Sequence, residues 1–189
     1  DMKKTIIWIG LLVVVLVLAG VGYSLLSKQQ SEQLVSQAEE KSSTSSEEEA
    51  VMLPDFTVLD AEGNPVESSA LLGKPTIINF WATWCGYCKK ELPDFQAAYE
   101  SYGDQINFVM IDAADGKQET VEAGKQYIAD NGYTFPVYFD TEMEAVISCG
   151  VSGFPATLFV SAEGEVLLGW PGYLETEQLN QMIEAMLPA

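Results

Sequence analysis

The pattern of hydrophobic and polar positions divides the chain into three parts. Residues 6–26 form an apolar run without a charged side chain, residues 27–52 are dominated by Ser, Gln and Glu, and residues 53–189 alternate short apolar stretches with amphipathic ones. The last part is long enough to bury a hydrophobic core of its own. The pattern therefore predicts a membrane segment, a linker and one globular domain.

The apolar run of residues 6–26 is long enough, as a helix, to cross the roughly 30 Å hydrocarbon layer of a bilayer. Lys3 and Lys4 precede the run and acidic residues predominate after it, which places the N-terminus in the cytoplasm and the rest of the chain outside. A cleaved signal peptide has a shorter apolar core. We expect residues 1–26 to be an uncleaved single-pass anchor, with a cleaved signal as the alternative and an extracytoplasmic domain in both cases.

The polar segment, residues 27–52, has too few apolar side chains to offset the entropy lost on ordering a backbone. We therefore expect a disordered spacer between the membrane and the domain, with a short helix over residues 32–41 as the alternative. A spacer of this composition would act as a flexible tether.

The domain contains stretches with the periodicity of strands and others with the periodicity of helices. Because the two kinds alternate and a hairpin and a helix end the chain, we expect an α/β fold with a mixed central sheet flanked by helices. Residues 135–140 fit either an edge strand or an extended segment leading into a helix. The other predicted strands are 56–60, a stretch around Val66, 76–81, 107–112, 156–160 and 166–170, and the predicted helices are 86–102, 117–131, 141–148 and 175–187.

Composition excludes several classes of function. Acidic residues number 28 against 9 basic ones, so the net charge is −19, and the chain contains no histidine. This balance argues against nucleic acid as a partner, since phosphate binding needs clustered basic residues. The lack of histidine excludes a Cys-His catalytic pair and a His-ligated metal.

Two of the three cysteines, Cys85 and Cys88, lie where the predicted strand 76–81 gives way to the predicted helix 86–102. The free N–H groups and the positive dipole at a helix N-terminus stabilise an anion, so the first thiol of such a pair ionises easily. The spacing brings the second sulfur within reach of the first. We predict that Cys85 is an exposed nucleophile and that Cys88 resolves the mixed disulfide that Cys85 forms.

Other interpretations of the cysteine pair are weaker. A zinc or iron–sulfur site needs four ligands, and Cys149 is the one further thiol. A purely structural disulfide would close a very small loop and stabilise the fold little. We expect no metal and no cofactor. Cys149 is expected to pack as a small apolar residue, with a third redox role as the alternative.

The segment from Asn79 to Pro93, which includes the Trp84-Cys85-Gly86-Tyr87-Cys88 motif, resembles the active site of membrane-anchored, thioredoxin-like oxidoreductases of the TlpA/ResA type. Pro93 lies where the family's active-site helix is kinked. Residues 153–157 resemble the family's cis-proline segment, and Glu91 matches an acidic residue that ResA-type proteins place beside their thiols. The likeness covers residues 53–189 and implies a thioredoxin-like fold.

The resemblance also implies roles for individual residues. Pro155, in the cis form, would hold the backbone of Phe154 ready to pair with a substrate segment, and Trp84 would form part of the docking surface. Glu91 would exchange a proton with the resolving thiol. Ordinary thioredoxins carry a buried Asp where this chain has Asn79, and Asn does not shuttle protons.

The function that the resemblance implies is reduction of disulfides in exported proteins. Family clients include apocytochrome c before haem attachment and other exported redox proteins, and the electrons would come from a membrane thiol carrier. Because the dipeptide between the cysteines helps to set the redox potential, a disulfide-forming oxidase is an alternative. A partner-binding module without redox activity is the third interpretation.

Overall fold

The computed structural model describes residues 50–187, so the predicted anchor and nearly all of the predicted linker lie outside the described residues. Within 50–187, no helix is long and apolar enough to span a bilayer. The strands are β1 (Thr57–Leu59), β2 (Pro65–Glu67), β3 (Thr76–Trp81), β4 (Asn107–Asp112), β5 (Val137–Phe139), β6 (Ala156–Val160) and β7 (Val166–Pro171), and the helices are α1 (Gly86–Tyr102), α2 (Val121–Asn131), α3 (Glu144–Ser148) and α4 (Thr176–Met186), with a 3-10 turn at Ser68–Leu71.

The strands form one mixed sheet in the order β2-β1-β5-β4-β3-β6-β7. Strand β3 pairs in parallel with β4 and antiparallel with β6, and β4 pairs in parallel with β5. All six residues of β3 are buried, as expected for a central strand that is covered on both faces. The predicted α/β fold with a mixed sheet is confirmed.

The alternation of side chains along β3 divides the core between the two faces of the sheet. Ile77 and Trp81 pack with helices α1, α2 and α4 on one face. Ile78 and Phe80 pack on the other face, against α3 and the hairpin of β1 and β2. The cysteine pair packs on the first of these two faces, with Ile77 and Trp81.

Two predicted helices begin later than the sequence pattern suggests. The helix predicted from residue 117 begins at Val121, because the Asp115 carboxylate binds the N–H groups of residues 117–119 in a turn and Thr120 then caps the helix by accepting the N–H of Ala123. The helix predicted over 141–148 is confined to Glu144–Ser148. In both places the expected first turn is occupied by non-helical backbone.

The stretch 135–140 forms a strand, β5, but the prediction of an edge position is wrong. Strand β5 lies between β4 and β1, and Phe139 pairs with Leu59 of β1. The partner that covers it comes from a distant part of the sequence. Nothing local to residues 135–140 indicates that pairing.

The described chain enters the domain along the turn between β6 and β7. Leu53 donates its N–H to Gly164, Val166 donates to Val51, and Met52 bridges to Glu165. Because Val160 at the end of β6 pairs with Thr76 at the start of β3, this turn lies at the end of the sheet where β3 begins. The cysteine pair follows the opposite end of β3.

Candidate active site

The Cys85–Cys88 pair lies at the junction of β3 and α1, and the two sulfurs are joined in a disulfide. Strand β3 ends at Trp81, and the turn that follows is closed by a hydrogen bond of 3.1 Å from the Cys85 N–H to the Ala82 carbonyl. Helix α1 then begins at Gly86. The central strand therefore delivers the first cysteine directly to the start of a helix.

Cys85 is the N-cap residue of α1. Its sulfur accepts a hydrogen bond of 3.1 Å from the backbone N–H of Cys88. An anion at this position gains from the free N–H groups and from the positive end of the helix dipole. The predicted placement of the first sulfur at a helix N-terminus is confirmed, and the same geometry would stabilise its thiolate once the disulfide is reduced.

The two cysteines differ in access to solvent. Cys85 is 5% exposed and Cys88 is fully buried. Cys85 is therefore much less exposed than the sequence analysis predicts, because its side chain is turned in to cap the helix and to bond Cys88. Cys85 is the one residue of the pair with any exposed surface, as expected for the cysteine that attacks another protein.

Aromatic side chains surround the opening at Cys85. Trp84 is 47% exposed and contacts Phe154 edge-on, with 5.8 Å between ring centroids. Tyr87, 65% exposed, lies 6.1 Å from the ring of Tyr173, and the Lys90 ammonium lies 4.4 Å from the centroid of the same Tyr173 ring. Trp84 is exposed, as the docking role expected of it requires, and Tyr87 and Tyr173 form a second aromatic pair.

The Phe154–Pro155 peptide bond is cis, as the resemblance predicts. Ala156, the next residue, pairs with Phe80 near the end of β3, which places this loop beside the turn that carries Cys85. Within residues 50–187, neither the N–H nor the C=O of Phe154 takes part in a hydrogen bond. The backbone of Phe154 is therefore free to pair with an extended segment.

Glu91 lies three residues after Cys88 on the same face of α1, and both side chains are fully buried. The two oxygens of Glu91 have separate donors. Asn79 donates from Nδ2 to Oε1 at 2.8 Å, and the Leu174 N–H donates to Oε2 at 3.0 Å. Asn79 also donates to the Thr157 hydroxyl at 3.1 Å.

Burial raises the pKa of Glu91 to about 7, although the hydrogen bonds from Leu174 and Asn79 oppose the shift. A carboxyl group with this pKa gains and loses a proton near neutral pH, which suits general acid–base work. The resemblance implied such a role for Glu91, and the buried position beside the second cysteine agrees with it.

Cys149 lies apart from the pair. It ends α3 and packs on the opposite face of the sheet from Cys85 and Cys88. Burial, with the nearby Asp140 carboxylate, raises the pKa of its thiol to about 12. A thiol of this kind is a poor nucleophile, which agrees with the expected packing role.

Sequence reasoning missed the partners of Glu91. Asn79 was noted as a departure from thioredoxins, but its bond to Glu91 depends on the packing of α1 against β3. A buried polar residue inside an apolar strand was the available signal. Two further buried acids, Asp112 and Glu119, are likewise not indicated by the sequence pattern. Among residues 50–187, no cluster of three or more His, Cys, Asp or Glu side chains is placed to hold a metal ion.

Comparison with known proteins agrees with this geometry. Residues 50–168 match the model of the AhpC/TSA family. The thiol-disulfide oxidoreductase ResA of Bacillus anthracis is 32% identical over 136 residues, which cover 71% of this chain and 76% of that protein. The chain belongs to the AhpC/TSA family, within its ResA type. It is a thiol-disulfide oxidoreductase.

Other ResA-type proteins and thioredoxin-like structures are similar over the same region. ResA of Bacillus subtilis is 30% identical, with 71% of this chain and 74% of that protein covered. The structure of StoA from Bacillus subtilis matches with a TM-score of 0.60 at 27% identity, covering 70% of this chain and 98% of that one. The pneumococcal exposed lipoprotein thioredoxin Etrx1 from Streptococcus pneumoniae matches with a TM-score of 0.61 at 27% identity, covering 70% and 99%. The thioredoxin-like fold of the domain follows from these matches.

Proposed function

We propose that this protein is an extracytoplasmic reductase that keeps cysteines of exported proteins in the dithiol form. Its clients would be apocytochrome c before haem attachment or another exported redox protein. The observation that carries the proposal is the arrangement of three side chains. The Cys85 sulfur caps helix α1, the Cys88 side chain is buried, and one helical turn further on the pKa of Glu91 is raised to about 7.

The reaction begins with the reduced pair. The Cys85 thiolate attacks one sulfur of a client disulfide, a mixed disulfide forms, and the other client sulfur leaves as a thiolate and takes up a proton. The position of Cys85 at the N-terminus of α1 supports this step, because the helix stabilises the thiolate before attack. Trp84, Phe154 and Pro155 would hold the client segment beside the sulfur.

The second step releases the client. Glu91 accepts the proton of the Cys88 thiol, the Cys88 thiolate attacks the sulfur of Cys85, and the client leaves as a dithiol. The bond from Cys85 to the client sulfur breaks, and this sulfur leaves as a thiolate that takes up a proton. Two electrons pass to the client, and the oxidised pair remains as the disulfide described above. A membrane thiol carrier would return two electrons and two protons to the pair.

Export is supported by the sequence. The apolar run of residues 6–26 after Lys3 and Lys4 predicts a single-pass anchor with the domain outside the cytoplasm. A membrane-bound reductase of this kind would receive its electrons from within the bilayer. The exposed aromatic surface beside Cys85 would remain available to clients.

Trapping tests the proposal directly. In the full chain with Cys149→Ser, the variant Cys88→Ser should accumulate mixed disulfides with its clients, because the resolving thiol is missing. The matched control Cys85→Ser lacks the nucleophile and should capture none. Mass spectrometry of the adducts identifies the clients. Equal capture by both variants, or capture by neither, would overturn the proposal.

The redox potential of the pair decides the direction of electron flow. A reductase should have a potential below about −220 mV, whereas a value near −120 mV would indicate an oxidase. Equilibration of the purified protein with glutathione buffers gives the value. Full function in cells of a Cys85→Ser, Cys88→Ser double variant would instead favour a binding module without redox activity.

A further inference from the structure

Two further buried acids lie beneath the turn that carries the nucleophile. Glu119 is 1% exposed and Asp112 is fully buried. Neither residue takes part in the reaction sequence proposed above. Buried acids of this kind need a physical reason, because an unpaired charge is costly to remove from water.

Glu119 holds the turn between β3 and α1. Its Oε2 accepts two hydrogen bonds from one residue, from the Thr83 N–H at 2.8 Å and from the Thr83 hydroxyl at 2.7 Å. Thr83 and Trp84 are the two central residues of the turn that the bond from Cys85 to Ala82 closes. Hydrogen bonds to a carboxylate oxygen are strengthened by its negative charge.

The loop that carries Glu119 is itself fixed. The Oδ1 of Asp115 accepts the N–H groups of residues 117, 118 and 119 at 2.9, 2.8 and 3.0 Å, and Gly116 donates its N–H to the Glu119 carbonyl at 2.9 Å. Gly116 has a φ of 72°, a conformation that favours glycine. The loop therefore presents the Glu119 side chain inward, towards the turn at Thr83.

Asp112, the last residue of β4, is the neighbour of Glu119. Within the described residues neither of its carboxyl oxygens has a hydrogen-bond partner, and the second oxygen of Glu119, Oε1, has none either. Helix α2 packs so closely over Asp112 that Gly124 leaves no room for a Cβ between them. The charge of Glu119 acts on Asp112, so the two buried carboxyl groups lie close to each other.

Electrostatics favours the protonated form of Asp112. Burial, together with the nearby Glu119, raises the pKa of Asp112 to about 8. Glu119 has two hydrogen-bond donors on one oxygen, both from Thr83. Of the other charged groups on adjoining elements, the ammonium of Lys125 lies over the ring of Phe139, and the carboxylate of Asp140 accepts the N–H of Val146.

We infer that Glu119 is a positioning residue for the nucleophile, holding the turn of Thr83 and Trp84 so that Cys85 caps α1, and that Asp112 keeps a proton so that Glu119 can remain charged there. The inference rests on the proposed function, because it concerns the sulfur that attacks the client. At a pH above about 8 Asp112 ionises, and repulsion between the two carboxylates loosens the turn.

The test measures alkylation of Cys85 by iodoacetamide against pH, in full-chain protein carrying Cys88→Ser and Cys149→Ala so that one thiol reacts. Each rate is divided by the thiolate fraction, taken from ultraviolet absorbance. With Glu119 and Asp112 intact, the corrected rate should be constant up to about pH 8 and fall above it. Asp112→Asn, which cannot ionise, should abolish that fall.

Substitutions at Glu119 separate positioning from general stability. Glu119→Ala should lower the corrected rate about tenfold at pH 7, as expected for a slightly misplaced nucleophile. Glu119→Gln, which keeps an oxygen acceptor for Thr83, should restore most of the rate and remove the fall at high pH. The matched control is Glu122→Gln, at an exposed residue in the first turn of α2, and it should change neither quantity.

The outcomes distinguish the inference from the proposed function. A pH profile that is the same in the parent, Asp112→Asn and Glu119→Gln proteins would overturn the inference, even if Glu119→Ala fails to fold. Failure of Cys88→Ser to trap any client would overturn the proposed function and leave the alkylation result standing as a property of Cys85. A parent profile that falls above about pH 8 only when Asp112 is present would support the inference.

Discussion

At the scale of single residues, the site depends on which buried carboxyl groups hold a proton. Glu91 and Asp112 are both fully buried, and burial raises the pKa of each, to about 7 and about 8. The two acids differ in their surroundings. Glu91 has a hydrogen-bond donor at each oxygen, whereas Asp112 has none among the described residues. Glu91 is therefore the better suited of the two to alternate between its charged and neutral forms.

Replacing Glu91 by Gln should make folding stability less dependent on pH. In the unfolded chain Glu91 has its ordinary pKa of 4.5, but in the folded protein its pKa is raised to about 7 and it keeps its proton up to that pH. The stability associated with the protonated form is therefore fully present below about pH 4.5 and is lost as the pH rises through 7. The loss corresponds to about 3 kcal/mol, and Glu91→Gln should lack it.

The side chain of Gln can keep a hydrogen-bond partner at each of its two polar atoms, since the Leu174 N–H donates to its oxygen. If the amide of Asn79 turns over, its oxygen accepts from the new amide at position 91, and the Thr157 hydroxyl donates to the same oxygen. Urea unfolding at a series of pH values provides the measurement. Glu100→Gln, at an exposed position of the same helix, is the control and should follow the wild type. A Glu91→Gln curve parallel to the wild type would contradict the prediction.

At the scale of elements, the sequence was most informative where local rules act alone. Helix α1 begins and ends where its pattern predicts, because its cap, Cys85, and its buried positions are all within the segment. Strand β3 has the same bounds as the apolar run that predicts it. The start of α2 was missed because the turn at Asp115 competes with the helix for the same N–H groups.

The residues of the candidate site also divide into those that a local motif predicts and those whose contacts depend on packing. The positions of Cys85 and Cys88 and the cis form of the bond before Pro155 followed from a short motif and its resemblance to a family. The donors to Glu91 are Asn79 of β3 and Leu174, and both are distant from Glu91 in sequence. Contacts of that kind depend on how the elements pack, and no local pattern contains the information.

Helix α2 provides a prediction at this scale. Gly124→Ala should destabilise the fold by about 2 kcal/mol, because the added Cβ overlaps the Asp112 carboxyl group and approaches the ring of Phe139. Helix propensity alone would give the opposite sign, a gain of up to about 1 kcal/mol. Gly86→Ala is the matched control, since a Cβ there meets nothing within 4 Å. Chemical unfolding that shows equal stability for the two variants would refute the close packing of α2.

At the scale of the whole molecule, charge is distributed unevenly between the acidic chain and the segment next to the cysteine pair. The chain carries a net charge of −19, yet Lys89 and Lys90 stand directly after the second cysteine. The aromatic surface formed by Trp84, Tyr87, Phe154 and Tyr173 contains no acidic side chain. Long-range attraction would therefore favour basic clients, while the surface proposed for docking is aromatic and adjoins the ammonium of Lys90.

Salt should affect the reaction accordingly. With a basic peptide disulfide as substrate, the second-order rate of reduction should fall about tenfold between low and high ionic strength, because salt screens the attraction by the acidic body. A neutral peptide of the same length and with the same residues next to its cysteines is the control and should change little. Stopped-flow kinetics provides the rates. An equal response of the two peptides would show that the net charge does not guide clients.

The pairing of residues 51–53 with the turn between β6 and β7 has a consequence for the active site. Strand β3 separates that point of attachment from the turn carrying Cys85, and six residues of strand span about 20 Å. Residues 51–53 therefore enter the domain at the end of the sheet opposite the reactive sulfur. Changes to this pairing would leave the chemistry at the other end of β3 untouched.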